Sequence, residues 1–376
     1  MTTDYGELLR YVIVGGAGGI AQTHIQALAQ TPGAQIVAIS DLDEQKGSER
    51  AAQLGCAFFR DHQPMLAEFR PDVAVICTPH PSHAAIAIDC LRAGAHVLAE
   101  KPMAVEPAEG DAMVAAARAA GKILAVNFQQ RFRPQIEFMK RFIEGGELGE
   151  LVRVLMVAPW FRTATYYRSA GWRGTWKGEG GGVLLNQAPH NLDLLCHLAG
   201  MPTKVWGIAS TRAHAIECED TAQAMLEFAN GAPGYLYGST VETGKEILQI
   251  FGDKASLELS GDGVSVTRYE QPQSVFRASS PELWAAPQAT TEHFSLSPGQ
   301  GAQAIPAGGH GDHVAVHHDL RRAILTGSAP RADGQQAMMS LELANAIILS
   351  SHTERAIRLP VDRDEYHQLL TQLRSA

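Results

Sequence analysis

Short apolar segments alternate with helix-forming segments between Arg10 and about Asn127, and this alternation constrains the fold more than any other feature. Strands that are apolar along their whole length are typically buried on both faces, and strands joined by helices run parallel. The alternation therefore predicts an α/β domain whose parallel sheet is covered by helices on both sides. The predicted strands are 11–14, 35–39, 72–77, 96–99 and 123–126, and the predicted helices are 20–30, 44–54, 82–93 and 107–120.

The chain beyond residue 127 has a different pattern. Strand-like segments follow one another there without long helices between them, which favours a mostly antiparallel sheet in an α+β domain. Residues 270–311, rich in Pro, Gln, Ser, Ala and Gly, predict a long loop. We therefore expect two domains, 1–127 and 128–376, with the last helices able to pack back on the first domain. The predicted strands are 152–157, 204–210, 222–228, 234–239, 247–251 and 256–259, and the predicted helices are 132–144, 313–325 and 335–356.

Composition narrows the class of protein. The chain has 376 residues, a formal net charge of -9 and no run of Lys or Arg, which argues against a nucleic-acid partner. No apolar run approaches the ~18 residues of a membrane span, and the first residues lack the basic and apolar regions of a signal peptide. The 5 cysteines, an odd number without close pairs, fit thiols in a reducing compartment. We expect a cytoplasmic protein with no membrane partner.

A glycine loop joins the first predicted strand to the first predicted helix. Gly16-Ala17-Gly18-Gly19-Ile20-Ala21 fits the G-x-G-x-x-G/A pattern, in which glycines let the backbone approach a pyrophosphate at the N-terminus of a helix. Asp41 follows the second strand, where a carboxylate accepts from a ribose 2′-OH and repels the 2′-phosphate of NADP. The nearest cation is Lys46. We predict that Gly16, Gly18, Gly19, Ile20 and Asp41 bind NAD in preference to NADP.

Two later strands of this sheet end in polar residues. Thr78, Pro79, His80 and His83 follow the strand that ends at Cys77, and we interpret them as lining the ribose–nicotinamide side of the cofactor; alternatively, Ser82 simply caps the next helix. Glu100-Lys101-Pro102 closes the strand 96–99, where parallel sheets hold their ligands. A partly desolvated lysine there, close to a cationic ring, has a lowered pKa and can exchange protons. The alternative for Lys101 is a surface turn after a strand.

A glycine-rich segment, Gly180-Gly181-Gly182, leads into a second group of polar residues. Asn186, His190, Asp193 and His197 are spaced i, i+4, i+7 and i+11, which predicts one stripe of a helix. Such a stripe is usually the solvated side of its helix, but the preceding glycines make a role in a cleft credible. An imidazole titrates near pH 6.5 and suits removal of a proton from an alcohol, so His190 is a candidate base.

The chain resembles the Gfo/Idh/MocA oxidoreductases, the glucose-fructose oxidoreductase and inositol dehydrogenase group, over nearly its whole length. The loop at 16–21, Glu100-Lys101-Pro102, the segment leading to His190 and Asp193, and Leu359-Pro360 fall in that family's order. The resemblance implies an N-terminal Rossmann domain and a second domain with an open, mostly antiparallel sheet. It also implies that Lys101 and His190 are catalytic, that Glu100 and Lys101 lie at the cofactor, that His313 faces the substrate, and that the chain forms a homodimer or homotetramer.

One residue departs from the family pattern. Many inositol-dehydrogenase-like members have Asp four residues before the catalytic histidine, where this chain has Asn186. An amide does not tune a histidine as a carboxylate does and cannot act as a base. The departure favours a Lys101–His190 pair, with Asn186 bonding a substrate hydroxyl, and it weakens any assignment to inositol.

Aromatic residues and arginines are concentrated between Pro159 and Lys177. Aromatic faces stack on sugar rings and arginines bond their hydroxyls, so the segment predicts contact with a carbohydrate or polyol, above all through Trp172 and Arg173. The alternative is that the aromatics cover the sheet or form an oligomer contact. The residues concerned are Trp160, Phe161, Arg162, Tyr166, Tyr167, Arg168, Trp172, Arg173 and Trp176.

Four histidines near the start of a late predicted helix raise the question of a metal. His313 and His317 are spaced i, i+4, and His310 and His318 flank them, but no glutamate completes a His-Glu-x-x-His pattern. We predict no metal.

Three functions fit these residues. The first is an NAD-dependent dehydrogenase of a secondary hydroxyl of a sugar, glycoside or cyclic polyol. The second is a glycoside-cleaving enzyme that passes through a 3-keto intermediate with a bound, recycled NAD. The third is a non-catalytic nicotinamide sensor. The presence of both Lys101 and His190 argues against the third.

Overall fold

The structure is a computed structural model that describes residues 7–261, 263–296 and 312–375. Its residues divide into two units. The first contains the chain up to Gln129 with Lys177–Gly180 and Asp312–Leu341, and the second contains Gln130–Trp176, Gly181 onward and Glu342 onward. The units are discontinuous in sequence, whereas the predicted domains 1–127 and 128–376 were continuous.

The first unit is a doubly wound α/β fold. Among its described residues six strands form one parallel sheet in the order β3-β2-β1-β4-β5-β6. The central strands β1 and β4 are apolar and almost wholly buried, as the sequence predicts. The elements are β1 Leu9–Val14, α1 Gly19–Ala29, β2 Ala34–Ser40, α2 Glu44–Leu54, β3 Ala57–Phe59, α3 His62–Phe69, β4 Val73–Ile76, a 3-10 turn His80–Ser82, α4 His83–Arg92, β5 His96–Ala99, α5 Pro107–Ala120 and β6 Leu124–Val126.

The second unit is built on a large, mostly antiparallel sheet. Nine strands of its described part follow the order β14-β13-β12-β11-β7-β10-β9-β8-β15, and the pair β7 and β10 is the parallel exception. The remaining elements of the described chain are a 3-10 turn Gln129–Phe132, α6 Pro134–Glu144, β7 Leu151–Pro159, α7 Ala164–Arg168, α8 Pro189–Ala199, β8 Lys204–Ser210, β9 Thr221–Glu227, β10 Pro233–Ser239, β11 Ile247–Gly252, β12 Ala255–Ser260, β13 Gly263–Tyr269, α9 Gln273–Ser279, β14 Ala289–Ser295, α10 His313–Thr326, α11 Gly334–Thr353, β15 Ile357–Arg358 and α12 Arg363–Leu373. Of these, α10 and the first part of α11 lie in the first unit.

The predicted fold class is confirmed, and the expected loop at 270–311 is wrong in part. Its described residues contain α9 and β14, while residues 297–311 lie outside the described part of the chain. Strand β14 is exposed and polar, and it is held by backbone hydrogen bonds to β13. Its sequence has no apolar–polar alternation from which a strand could be predicted. The short elements β3, α3 and α7 and the helix α12 were not predicted either.

Within the described part of the chain, no helix is both long enough and apolar enough to cross a bilayer.

Candidate functional site

The glycine loop after β1 has the geometry that a dinucleotide needs. Gly15 has φ +82, and a Cβ on it would lie 2.8 Å from the backbone of Cys77. A Cβ on Gly16 would lie 2.8 Å from Ile39. Gly18 precedes α1 as an extended N-cap without a side-chain hydrogen bond, and the first turn of α1 carries no acidic residue. The helix N-terminus is thus left to accept an anion, which fits the pyrophosphate of NAD.

Asp41 is fixed at the end of β2 by two backbone groups. Its Oδ2 accepts the N–H of Ala17 in the glycine loop at 2.9 Å, and its Oδ1 accepts the N–H of Asp43 at 2.9 Å. Lys46, the nearest cation in sequence, is exposed and donates to Asp43 Oδ2 at 2.7 Å. The carboxylate therefore lies beside the loop, while the cation that could offset a 2′-phosphate is paired with another residue.

The loop after β4 is held by its own side chains. Ser82 donates to Thr78 Oγ1 at 2.8 Å, and Pro79 is exposed. His80 is buried with its Nδ1 3.2 Å from the carbonyl of Glu179, and burial lowers its pKa to about 3, helped by the charges of His83 and Lys101. His80 is therefore neutral at physiological pH.

His83 is a fully buried link between two loops. Its Nδ1 lies 2.8 Å from the carbonyl of Pro102 and its Nε2 lies 2.7 Å from that of Thr78. Burial lowers the pKa of His83, and the two carbonyls oppose the shift. The ring links the loop after β4 to the loop after β5. The contact of His83 with the cofactor stays a prediction.

Glu100 and Lys101 follow β5, next to β4 at the carboxyl edge of the parallel sheet. Glu100 is buried; its Oε1 accepts from His24 Nε2 at 2.9 Å and from Asn127 Nδ2 at 2.6 Å. Burial alone would raise its pKa, but the bond to His24 and the charges of His24, Lys101 and His313 hold the pKa well below the usual range. Lys101 is half-buried, and its peptide bond to Pro102 is cis. An ionised carboxylate thus lies beside the candidate lysine.

His313 begins α10 and lies beside this carboxylate. Its Nε2 is 3.9 Å from Glu100 Oε1. Its ring packs edge-on against that of His24, with 5.2 Å between the two ring centres. His317, one turn later, contacts His24 Nδ1 at 2.9 Å. Burial lowers the pKa of His313 to about 4 and that of His317 well below its usual value, with the charge of His24 adding to both shifts.

Glu100 supplies beside His313 the glutamate that the local sequence around the histidines lacks. His24, Glu100 and His313 each offer a ligand atom within 4.8 Å of the others. Glu100 already accepts N–H groups from His24, Asn127 and the backbone of Lys101, and an ion would have to displace them. The donor set therefore fits a hydrogen-bonded carboxylate better than a metal ligand. His310 lies outside the described residues.

Close packing explains the glycine-rich segment. Gly180 has φ +78 and lies against Val105 of the first unit, which contains both residues. In the second unit, Gly182 donates to both carboxylate oxygens of Glu219 at 2.9 Å, and the N–H of Leu184 donates to its Oε1 at 3.0 Å. The buried Glu219 thus anchors the loop that precedes α8, a role that sequence spacing did not reveal.

The predicted polar stripe from Asn186 to His197 is corrected at its start. Helix α8 begins at Pro189, so Asn186 lies in the preceding turn. His190, Asn191 and Asp193 are all buried, which excludes a solvated face for this part of the helix. Arg131 holds Asp193 with its Nε at 2.8 Å and its Nη2 at 2.6 Å. Burial raises the pKa of Asp193, and the Arg131 guanidinium opposes the shift.

Tyr166 organises the aromatic segment before α8. Its hydroxyl oxygen accepts from Arg173 Nη1 at 2.6 Å, from Gln187 Nε2 at 3.0 Å and from Asn186 Nδ2 at 3.3 Å. The Arg173 guanidinium lies 4.3 Å from the ring centre of Tyr166 and 4.4 Å from that of Trp172. The structure therefore brings together three predicted substrate residues, Asn186, Trp172 and Arg173. Sequence spacing does not distinguish Tyr166 from the other aromatics of the segment, and it does not point to Gln187.

Family models match both units. The model described as an oxidoreductase family with an NAD-binding Rossmann fold covers residues 9–128, and the Gfo/Idh/MocA C-terminal domain covers residues 136–258. The chain belongs to the Gfo/Idh/MocA family. The family resemblance read from the motifs is thereby confirmed.

Similar members of the Gfo/Idh/MocA family are dehydrogenases. D-glucoside 3-dehydrogenase of Escherichia coli is 30% identical over 60% of this chain and 62% of its own length. D-apiose dehydrogenase of Paraburkholderia graminis is 26% identical over 92% of this chain and 88% of its own. The crystal structure of the WlbA dehydrogenase from Bordetella pertussis, in complex with NADH and UDP-GlcNAcA, is 30% identical with a TM-score of 0.78, covering 94% of this chain and 100% of that one.

Proposed function

We propose that this protein is an NAD-dependent dehydrogenase of a secondary hydroxyl in a sugar, glycoside or cyclic polyol. The observation that carries the proposal is Lys101, half-buried directly after β5 and beside the ionised Glu100, on the sheet edge that also carries the glycine loop. Ligands of doubly wound sheets bind at that edge. The named activities of the relatives, oxidations of glucosides and apiose, support the same class of reaction.

Lys101 and His190 divide the chemistry of an alcohol oxidation. His190 takes the proton of the substrate hydroxyl, and the Lys101 ammonium stabilises the negative charge that develops on the same oxygen. Bound NAD would supply the acceptor for the hydride, that is, for the hydrogen and the two electrons that the alcohol carbon must lose to become a ketone. The proposal requires both groups to reach one hydroxyl.

We propose NAD rather than NADP as the cofactor because Asp41 is fixed beside the glycine loop and Lys46 is paired with Asp43. Gly16, Gly18, Gly19 and Ile20 hold the pyrophosphate side. The nicotinamide side is formed by residues of the loops after β4 and β5, and His83 positions these two loops by joining them. The residues are Thr78, Pro79, His80, His83, Glu100 and Lys101. His313, beside Glu100, is proposed to face the substrate. We also propose that the protein forms a homodimer or homotetramer and is located in the cytoplasm, where its cysteines stay reduced.

The deciding experiment measures NADH absorbance when the purified protein meets NAD and a panel of sugars, inositols and glycosides. We expect turnover with at least one compound. We expect a loss of about a hundredfold or more in kcat in Lys101→Ala and in His190→Ala, the size of a general acid–base contribution. His197→Ala, on the same helix as His190, is the matched control and should retain activity.

The other outcomes separate the competing functions. Wild-type turnover that survives in both variants would overturn the catalytic pair. Glycoside cleavage without net NADH would identify a bound, recycled cofactor. Binding of NAD without change in any compound would leave a nicotinamide sensor, and it would refute the dehydrogenase.

A further inference from the structure

The segment 160–176 contains three arginines that form no ion pair with a described carboxylate. It contains Arg162, Arg168 and Arg173 and neither Asp nor Glu, in a chain whose formal net charge is -9. Within the described residues, none of these arginines has a carboxylate within ion-pair distance, although other arginines of the chain do. Arginines without a carboxylate partner keep N–H donors and positive charge that an anionic ligand can use.

The donors of this segment converge on one point. The Tyr166 hydroxyl oxygen receives N–H groups from Arg173, Gln187 and Asn186 at 2.6, 3.0 and 3.3 Å. A phenolic oxygen has two lone pairs and cannot satisfy three donors well. Arg173 has five N–H donors, and in the described structure it uses two, one on Tyr166 and one on Ser169 Oγ at 3.2 Å. The cluster therefore has spare donor capacity around a guanidinium.

The cluster also contains an acceptor without a partner among the described residues. Gln187 is buried, and its Oε1 has no hydrogen-bond partner among the described residues. Such an atom suits a donated hydroxyl group, because a buried acceptor that stays unpaired costs free energy. Spare donors beside an open acceptor fit a ligand that bears both an oxyanion and a hydroxyl. Asn186 and Gln187 precede His190 by four and three residues, in the turn before α8.

We propose that Arg173, with Asn186 and Gln187, binds an oxyanion of the substrate, so that the substrate is an acidic sugar rather than a neutral one. This inference rests on the proposed dehydrogenase and specifies its substrate class. The planar guanidinium suits a carboxylate or a phosphate, which it holds through two parallel hydrogen bonds. The rings of Tyr166 and Trp172 lie 4.3 and 4.4 Å from the guanidinium carbon and restrict its position.

The test compares D-glucuronate with D-glucose, which differ by the carboxylate, and adds D-glucose 6-phosphate as the phosphate source. We expect kcat/KM for at least one acidic sugar to exceed that for glucose by about tenfold to a hundredfold, the range that hydrogen bonds to charged groups contribute. In Arg173→Gln the preference should fall to near unity through KM. Arg168→Gln, an exposed arginine of the same segment, should keep the preference.

Binding is measured separately, by calorimetry with each sugar in the presence of NADH. Tighter binding of an acidic sugar that is lost in Arg173→Gln supports the subsite even where none of the three sugars is oxidised, because binding is measured independently of turnover. Equal binding and equal kcat/KM for glucose and both acidic sugars would overturn the subsite and leave the dehydrogenase standing. Loss of affinity for glucose and glucuronate by the same factor in Arg173→Gln would also overturn it, because the arginine would then bind no oxyanion.

Discussion

Asp41 is the residue on which the proposed preference for NAD depends. Its two oxygens accept N–H groups from Ala17 and Asp43, so the backbone on both sides determines its position. The carboxylate keeps lone pairs for a ribose diol, because each oxygen accepts more than one hydrogen bond. Its charge opposes a phosphate at the same place.

Replacement of this carboxylate should change the ratio of affinities for the two cofactors. In Asp41→Ala we expect the Kd for NADH to rise about tenfold or more, since a hydrogen bond to a charged group is lost. The Kd for NADPH should fall or stay constant, because the repulsion is removed. Fluorescence titration with both cofactors measures the ratio, and Lys46→Ala is the control. An unchanged ratio in Asp41→Ala would refute the preference for NAD.

Several residues that hold the candidate site could not be found from sequence at the residue scale. Gly15 has a positive φ, but it precedes the G-x-G-x-x-G/A pattern, which starts at Gly16 and therefore does not include it. Glu219 anchors the glycine-rich loop from 37 positions away. A carboxylate in a chain with 40 acidic residues gives no sign of such a role, because the role depends on which backbone N–H groups lie near it.

At the scale of elements, helix α8 is tied to the segment before α6 by the buried pair Arg131–Asp193. Both side chains are almost wholly buried, and the guanidinium donates two hydrogen bonds to the carboxylate. A buried ion pair of this kind gives little net stability relative to an apolar pair, but the loss of one member leaves an uncompensated charge. Asp193 lies three residues after His190 on α8.

Removal of one member should destabilise the protein far more than removal of both. We expect Asp193→Leu to lower the free energy of unfolding by about 3 to 5 kcal/mol, and the double variant Arg131→Met with Asp193→Leu to recover a large part of it. Urea unfolding followed by circular dichroism gives both values. Equal losses in the single and double variants would show that the two residues are not coupled.

Elements whose signals lie in their own residues are the ones that the sequence predicts well. Strands β1, β4 and β5 and helices α2 and α5 carry their signals locally, as apolar runs, an N-cap at Asp43 and the glycines Gly55 and Gly121 at the C-caps. Helix α7 has five residues, fewer than a helical period can reveal. Strand β14 depends on a partner strand, so its existence was decided by pairing rather than by its own residues.

At the scale of the whole molecule, buried neutral histidines link stability to pH. The pKa of His80 is about 3 and that of His313 about 4, both lowered chiefly by burial. Unfolded histidines titrate near 6.5, so between pH 6.5 and about 4 the unfolded chain binds protons that the folded chain does not. This stability is fully present above pH 6.5 and is lost as the pH falls through that window.

The urea midpoint should therefore fall between pH 7 and pH 5, and His313→Gln should reduce the slope. We expect the proton uptake on unfolding to decrease by up to about one proton in this variant. The measurement is a series of urea titrations at pH 7, 6 and 5, with the exposed His367→Gln as control. A slope that matches the wild type in His313→Gln would refute the assignment of this pH dependence to His313.

The sequence by itself determined the class of each unit and the family, and it singled out the glycine loop, Asp41 and Lys101 as candidates, because these signals are carried by neighbouring residues and by short, regular spacing. Only the tertiary structure decided that Glu100 meets His24 and His313, that Asp193 is paired with Arg131, and that Arg173, Asn186 and Gln187 converge on Tyr166. Some of these contacts join residues that are far apart in the chain. The others depend on loops that bring several side chains to the Tyr166 hydroxyl oxygen. No local period encodes them, since they follow from where the packed sheets and helices place each side chain.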